Sequence, residues 1–236
     1  SIAGKYIKKC VLELGGSDPF IVLADADLEL AAKIATQSRM QNAGQSCISA
    51  KRFIVDKRVK EDFTARFLEN IKALRQGDPL LETTTTGPLA RVDLADTLEK
   101  QLIGSIERGA KLLAGGRGAG ANFTPALLDQ VKPGMQAFDE ETFGPLAAII
   151  TVSSEEEAVD VANSSRYGLG SSVWTRDLER GEKVARQIES GSVFINALMK
   201  SDARMPFGGV KKSGYGRELS EYGIKEFVNV KSISIA

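Results

Sequence analysis

Histidine is absent from this sequence of 236 residues, and cysteine occurs only twice, at Cys10 and Cys47. Without histidine there can be no Ser-His-Asp triad, no Cys-His pair and no His-ligated zinc. Two cysteines are too few for a Cys₄ metal site, an iron–sulfur cluster or a disulfide framework. Excess charge of one sign is also missing: Lys plus Arg equals Asp plus Glu at 31 each, so no net field favours nucleic acid or an anionic membrane. No apolar run approaches the ~18 residues of a membrane span, and the first residues show no signal-peptide core. The expectation is a cytoplasmic protein with no metal and no nucleic-acid or membrane partner. Any nucleophile it carries must be activated by a carboxylate, a lysine, a helix terminus or water.

What is present alternates between two periodicities. Cys10–Leu14 reads as a buried strand ending at Gly15-Gly16, and Pro19–Leu23 as a second extended run. Asp25 or Asp27 can cap a following helix through Ala31, Ile34 and Ala35, which stops near Asn42-Ala43-Gly44. Val59, Phe63, Phe67, Ile71 and Leu74 form the apolar stripe of a second helix, and Leu94, Leu98, Leu102 and Ile106 that of a third. Strands are expected at 52–55, 111–113, 124–131, 146–152, 171–175 and 192–196, with helices near 155–164 and 177–189. This is the pattern of an α/β fold, a largely parallel open sheet flanked by helices. The glycine cluster 115–120 lacks the strand–loop–helix context of a phosphate cradle and reads as a turn between strands. Residues 230–235 alternate as a strand, which either edges the chain's own sheet or adds to a neighbour's.

Cys47 stands in Asn42-Ala43-Gly44-Gln45-Ser46-Cys47, just past a helix end on a glycine-containing loop. A free thiol of pKa ~8.5 is only a few per cent thiolate at neutral pH. Glu13, at a strand end before two glycines, is the candidate base, and such assistance is typically worth ~10²–10⁴ in rate. Cys10, inside an apolar run, reads as a buried filler. Taken singly, Cys47, Glu13, Glu141 and Phe143 each admit an equally ordinary structural role. Their joint occurrence singles them out.

Glu-Leu-Gly-Gly at 13–16, Asn-x-Gly-Gln-x-Cys at 42–47, Glu-x-Phe-Gly-Pro at 141–145, Pro-Phe-Gly-Gly at 206–209 and Lys-Ser-Gly-x-Gly-Arg-Glu at 212–218 occur in this order. Together they resemble the aldehyde dehydrogenase superfamily over essentially the whole chain. The resemblance implies Cys47 as nucleophile and Glu13 as general base. It implies contacts of Glu141, Phe143, Leu14 and Gly15 with NAD or NADP, and of Phe207, Ser201 and Arg204 with an aldehyde. The implied reaction is oxidation of the aldehyde to a carboxylic acid through a cysteine thioester, with the Cys47 N–H helping to hold the oxyanion. Residues 12–22, 194–196 and 201–204 further resemble succinate-semialdehyde dehydrogenases. Many of those enzymes carry an arginine where Gln41 stands here, which leaves Arg39 or Arg204 to meet the substrate carboxylate.

The same resemblance divides the chain. Residues 1–14 correspond to the last strand of a dinucleotide-binding domain otherwise missing, 15–217 to the catalytic domain, and 218–236 to a C-terminal helix and oligomerisation strand. The chain is therefore expected to be a catalytic portion, inactive alone as a dehydrogenase and homodimeric or homotetrameric when complete. Two other functions fit the same residues: a residual thiol esterase using Cys47 and Glu13, and a non-enzymatic oligomerisation fragment.

Overall fold

The computed structural model describes residues 1–236. Eleven strands form in chain order: β1 Leu12–Glu13, β2 Pro19–Val22, β3 Arg52–Asp56, β4 Lys111–Arg117, β5 Phe123–Asp129, β6 Leu146–Val152, β7 Tyr167–Gly168, β8 Gly170–Trp174, β9 Ser192–Ile195, β10 Val210–Lys211 and β11 Gly214–Tyr215. Seven of them make one sheet in the order β4-β5-β6-β3-β2-β8-β9. All its neighbours are parallel except the β4–β5 hairpin. The helices are α1 Ile2–Lys5, α2 Leu28–Met40, α3 Lys60–Lys72, α4 Val92–Glu107, α5 Gln136–Asp139, α6 Glu155–Asn163, α7 Leu178–Ala185 and α8 Ser220–Glu226.

A strand buried on both faces reads as a near-continuous apolar run, as β2 does and as the centres of β3 (Phe53–Val55) and β6 (Leu146–Ile150) do. Alternation then divides their side chains between two cores. Ile21, Ile54, Ala148 and Ile150 point to the side covered by α4, α6 and α7. Phe20, Val22, Phe53, Val55 and Ile149 point to the side covered by α2 and α3. There Phe20 stacks on Trp174 with centroids 5.1 Å apart, and Phe53 meets Phe67 at 4.7 Å. Asp27, not Asp25, caps α2, its carboxylate accepting from the Leu30 N–H at 3.1 Å. Asp25 instead accepts from Thr175 and the Arg176 N–H ahead of α7.

Three expectations change. The strand anticipated over Cys10–Leu14 shrinks to β1, which pairs only with β11 outside the main sheet. A two-stranded ribbon has no layer over it, so Leu12 and Leu14 are exposed and Cys10 is only partly buried. The anticipated strand at 111–113 runs on to Arg117, absorbing Gly115 and Gly116 where the register with β5 shifts; the turn itself is confined to 118–122. Residues 229–236 pair with nothing, and Val230, Ile233 and Ile235 are exposed, which rules out an edge strand of the chain's own sheet.

Phe53 touches both neighbouring aromatics and is fully buried. Phe53→Ala should lower the unfolding free energy by about 3–5 kcal/mol, measured by urea denaturation. A loss under about 1 kcal/mol would mean the aromatic layer is not packed as described.

Candidate functional site

The site begins where α2 ends. After Met40 the chain makes a 3-10 turn, Gln41–Gly44, in which Asn42, Ala43 and Gly44 have φ of 51°, 52° and 72°. Left-handed backbone at two non-glycine residues costs roughly 1–2 kcal/mol each. The loop's own amides support it: Asn42 Nδ2 donates to the Gln45 carbonyl at 3.0 Å, and Gln45 Nε2 to the Asn42 carbonyl at 3.1 Å. A side chain at Gly44 would place its Cβ 2.3 Å from the Gly144 carbonyl oxygen. The motif spacing thus reflects two turns, 42–47 and 141–145, pressed backbone to backbone.

Arg39 locks them. It is fully buried and donates to the carbonyls of Gly44 at 3.3 Å, Thr142 at 2.8 Å and Ala50 at 3.3 Å, and to that of Gly144. Burial pushes the guanidinium down to about 9, opposed by the charges of Glu141 and Asp18. Arg39 is therefore spent on backbone and cannot meet a substrate carboxylate, the role its sequence position left open.

On the other side, Glu13 is held by β1–β11 pairing, opposite Gly214. The Leu14 N–H donates to the Ser213 carbonyl at 3.1 Å, and buried Ser213 donates its hydroxyl to the Gly15 carbonyl at 2.7 Å. The motif at 212–218 is thus the partner that orients the Glu13 turn. Burial raises the Glu13 carboxyl above the usual carboxylate range, and the charges of Glu218 and Glu141 raise it further, while the facing Cys47 thiol pulls it back. Glu13 Oε1 is buried without a hydrogen-bond partner. The half-buried Cys47 thiol is pushed up by burial and then by the Glu13 charge; Lys51 and the Ile48 N–H act against this.

Glu141 closes the cluster. Its Oε1 accepts from the Gly16 N–H at 2.9 Å, and a Cβ at Gly15 would sit 2.2 Å from its Oε2, so only glycine allows this approach. Oε2 receives no protein donor, and Phe143 beside it is 39% exposed. A free carboxylate oxygen next to an uncovered ring fits the ribose and ring of a nicotinamide nucleotide. Leu14 projects into solvent beside them.

The substrate candidates lie less centrally. Phe207 is half-buried and exchanges both backbone hydrogen bonds with Glu218, at 2.8 and 2.7 Å. Ser201 is exposed, and Arg204, with its side chain 87% exposed, binds Asp202 through both arms at 2.9 and 2.6 Å. No hydrogen bond ties either to Cys47 or Glu13. Two residues of the cluster, Asp18 and Lys51, are given no role by motif reasoning, and Ser213 and Glu218 appear there only as members of the 212–218 motif, with no role assigned. Asp18 and Lys51 carry the one available signal, a charge at the mouth of an otherwise apolar strand run.

The aldehyde dehydrogenase family model matches residues 1–233, so the chain belongs to that family. It is 50% identical over 234 residues to the succinate semialdehyde dehydrogenase [NAD(P)+] of Escherichia coli, covering 98% of this chain and 51% of that protein. It is 51% identical over 239 residues to a probable succinate-semialdehyde dehydrogenase [NADP(+)] of Synechocystis, covering 100% and 53%. The succinate-semialdehyde dehydrogenase structure from Burkholderia pseudomallei superposes with a TM-score of 0.92 at 40% identity, covering 95% of this chain and 47% of that one. A salicylaldehyde dehydrogenase from Pseudomonas putida matches with the same TM-score, identity and coverage. The chain spans about half the length of the curated relatives it matches.

The Cys47–Glu13 coupling has two signs to test in the full-length protein. Removing the Glu13 charge should lower the thiol pKa, so Glu13→Gln should alkylate severalfold faster at Cys47 with iodoacetamide near neutral pH, while losing turnover. Because only the ionised carboxylate is a base, wild-type turnover should fall as pH drops through a midpoint above the ordinary carboxylate range. Slower alkylation in Glu13→Gln would contradict the electrostatic contact.

Proposed function

We propose that the protein carrying this chain oxidises an aldehyde to a carboxylic acid through a thioester on Cys47, with NAD or NADP as acceptor, and that its substrate is succinic semialdehyde. The observation that carries this reading is a half-buried thiol and a carboxyl close enough to shift one another's protonation, the carboxyl's Oε1 being buried and without a partner. Family membership and the names of the relatives support the reaction and substrate class.

In this reading the Cys47 thiol gives its proton to solvent water and its sulfur adds to the aldehyde carbon. The Cys47 N–H donates to the developing oxyanion. Glu141, Phe143, Leu14 and Gly15 would hold the nicotinamide end of NAD or NADP, which when bound would supply the two-electron acceptor. Glu13 then takes a proton from a water whose oxygen attacks the thioester carbon, releasing the acid and restoring the thiol. A carboxyl raised by burial suits that role, because a base is most effective with a pKa near the working pH. Phe207 and Ser201 line the aldehyde path, and Arg204 receives the terminal carboxylate once released from Asp202.

We assign residues 1–14 to the end of a dinucleotide-binding unit, 15–217 to the catalytic domain, and 218–236 to an oligomerisation element of a homodimer or homotetramer. The β1–β11 ribbon lies apart from the seven-stranded sheet and ties the first unit to residues 214–215 of the second. Strand β9 is an open edge, lined by Val193, Phe194, Ile195, Met205 and Pro206, and the apolar tail 228–235 has no partner in its own chain. An unpaired edge and an unpaired alternating segment suit each other across two copies. No helix is long and apolar enough to cross a membrane, and a working thiol suits the reducing cytoplasm.

Succinic semialdehyde and butanal share a chain length and differ in the carboxylate. In the full-length protein kcat/KM should favour the semialdehyde by at least about tenfold, as one charge-assisted contact implies. Equal values would leave a broad aldehyde dehydrogenase and remove Arg204 from recognition. Cys47→Ala should abolish NADH or NADPH formation with either.

Removing residues 228–236 should convert the oligomer to monomers, read by light scattering. An unchanged mass would place the contact elsewhere.

A further inference from the structure

Lys51 is a fully buried lysine that no motif accounts for. Its ammonium donates to three carbonyls of one loop: Ser46 at 3.2 Å, Cys47 at 2.9 Å and Ser49 at 2.9 Å. A lysine has three protons to donate, so the nucleophile loop takes them all. The backbone of Lys51 is pinned as well, its N–H donating to the Asp18 carbonyl at 3.0 Å as the chain enters β3.

The consequence follows from peptide planarity. In a trans peptide the C=O and the next N–H point in opposite directions. Holding the Ser46 carbonyl toward Lys51 therefore turns the Cys47 N–H away from it, and holding the Cys47 carbonyl turns the Ile48 N–H away likewise. The Cys47 N–H donates to no protein acceptor, and the Ile48 N–H acts on the Cys47 sulfur. One ammonium thus orients two backbone donors: the Cys47 N–H, which no protein acceptor takes, and the Ile48 N–H, whose influence on the thiol favours the anion.

We propose that Lys51 is the positioning residue of the Cys47 nucleophile: its three carbonyl contacts fix the direction of the Cys47 and Ile48 N–H groups, and its charge favours the thiolate. Lys51 does not touch the aldehyde and acts through the loop. Around the sulfur stand Glu13 from β1, Asp18 ahead of β2, and Lys51 ahead of β3; of these three, only Lys51 favours the anion. Around Lys51 stand Arg39 from α2, which opposes its charge, and Asp18, Glu141 and Cys47, which support it. Burial pushes Lys51 down to about 8, so the ammonium persists at neutral pH.

The proposal rests on Cys47 being the nucleophile, and its test needs neither aldehyde nor cofactor. Iodoacetamide labelling of Cys47, quantified by peptide mass spectrometry across pH, is compared in the full-length wild type, Lys51→Gln and Lys51→Arg. Glutamine keeps a donor and loses the charge; arginine keeps the charge and several donors. In Lys51→Gln the neutral-pH rate should fall about tenfold and the midpoint should rise by about one unit, as expected for loss of one neighbouring charge. Lys51→Arg should stay within about threefold of wild type, since it keeps the neighbouring positive charge. Turnover in Lys51→Gln should fall through kcat with the aldehyde KM unchanged. A Lys51→Gln profile superimposed on wild type, or an arginine variant shifted as far as the glutamine one, would overturn the proposal and leave Lys51 as packing. Should Lys51→Gln lose its cooperative melting transition, Lys51→Arg decides alone: a wild-type profile supports the role, and a shift of one unit overturns it. Absent nucleotide reduction by the wild type, with the labelling results intact, would refute the dehydrogenase reading and not this one.

Discussion

The site depends on a guanidinium that water does not reach. Arg39 leaves α2 inside the protein and holds carbonyls from both turns that face the reacting groups. A buried carbonyl left without a donor costs ~1–3 kcal/mol; the Gly144 carbonyl has a second donor in the Leu146 N–H at 2.8 Å, while Arg39 supplies the side-chain donors to those of Gly44, Ala50 and Thr142. Arginine alone offers five donors in a fixed fork, so no other side chain could join two turns this way. Its grip makes the left-handed path at Asn42 and Ala43 tolerable, and that path brings the chain to Cys47. The two motifs lie ninety-odd residues apart in sequence and behave as one clamp.

A clamp built from charge needs a balance beneath it. Arg39, Lys51 and Arg52 are buried together with Asp18, while Glu13 and Glu141 stand at the rim. Asp18 is raised to about 6 by burial, with Lys51 the largest opposing charge. A raised acid holds its proton longer in the folded state, so its contribution favours folding below the unfolded pKa and is lost as pH rises to about 6. Lys51, lowered to about 8, contributes the reverse: folding gains as pH rises from about 8 toward the unfolded value. Between the two values the native protein carries both charges inside and forgoes both contributions. The neutral range in which a thiolate is useful is therefore where this cluster costs the fold most. Such a price in stability is usual where a site is pre-arranged for chemistry.

Much of the frame is legible from residue order, because doubly covered strands and amphipathic helices leave strong periodic traces. Phe20 and Phe53 on one side, with Ile21 and Ile54 on the other, follow from alternation once the strands are placed. What escapes are properties that depend on a neighbour. Leu12 and Leu14 read as core because their residue types are apolar, yet the β1–β11 ribbon has nothing above it. Val230 and Ile235 alternate as a strand should, but an edge forms only when a partner offers one. Arg39 and Arg204 are indistinguishable as letters; one is sealed behind four carbonyls and the other lies on the surface, paired with Asp202. Lys51 escapes for a related reason, since a lysine before an apolar strand ordinarily reads as solvated.

The division between a rigid centre and an exposed rim also bears on specificity. Structures named for a succinate-semialdehyde and for a salicylaldehyde dehydrogenase superpose on this chain equally well, both at a TM-score of 0.92. One is named for a short aldehyde acid and the other for an aromatic aldehyde, so the shared backbone cannot be what separates them. The buried elements here, the Arg39 clamp, the Lys51 contacts and the Ser213 brace, all address the backbone around the thiol and the carboxylate. Residues 201–206 are mostly exposed, and Asp202 and Arg204 bond chiefly to one another. A side chain without packing partners can change size or charge with little cost to the fold, usually within ~0.5 kcal/mol. Substitution is therefore costly around Cys47 and Glu13 and cheap at residues 201–206.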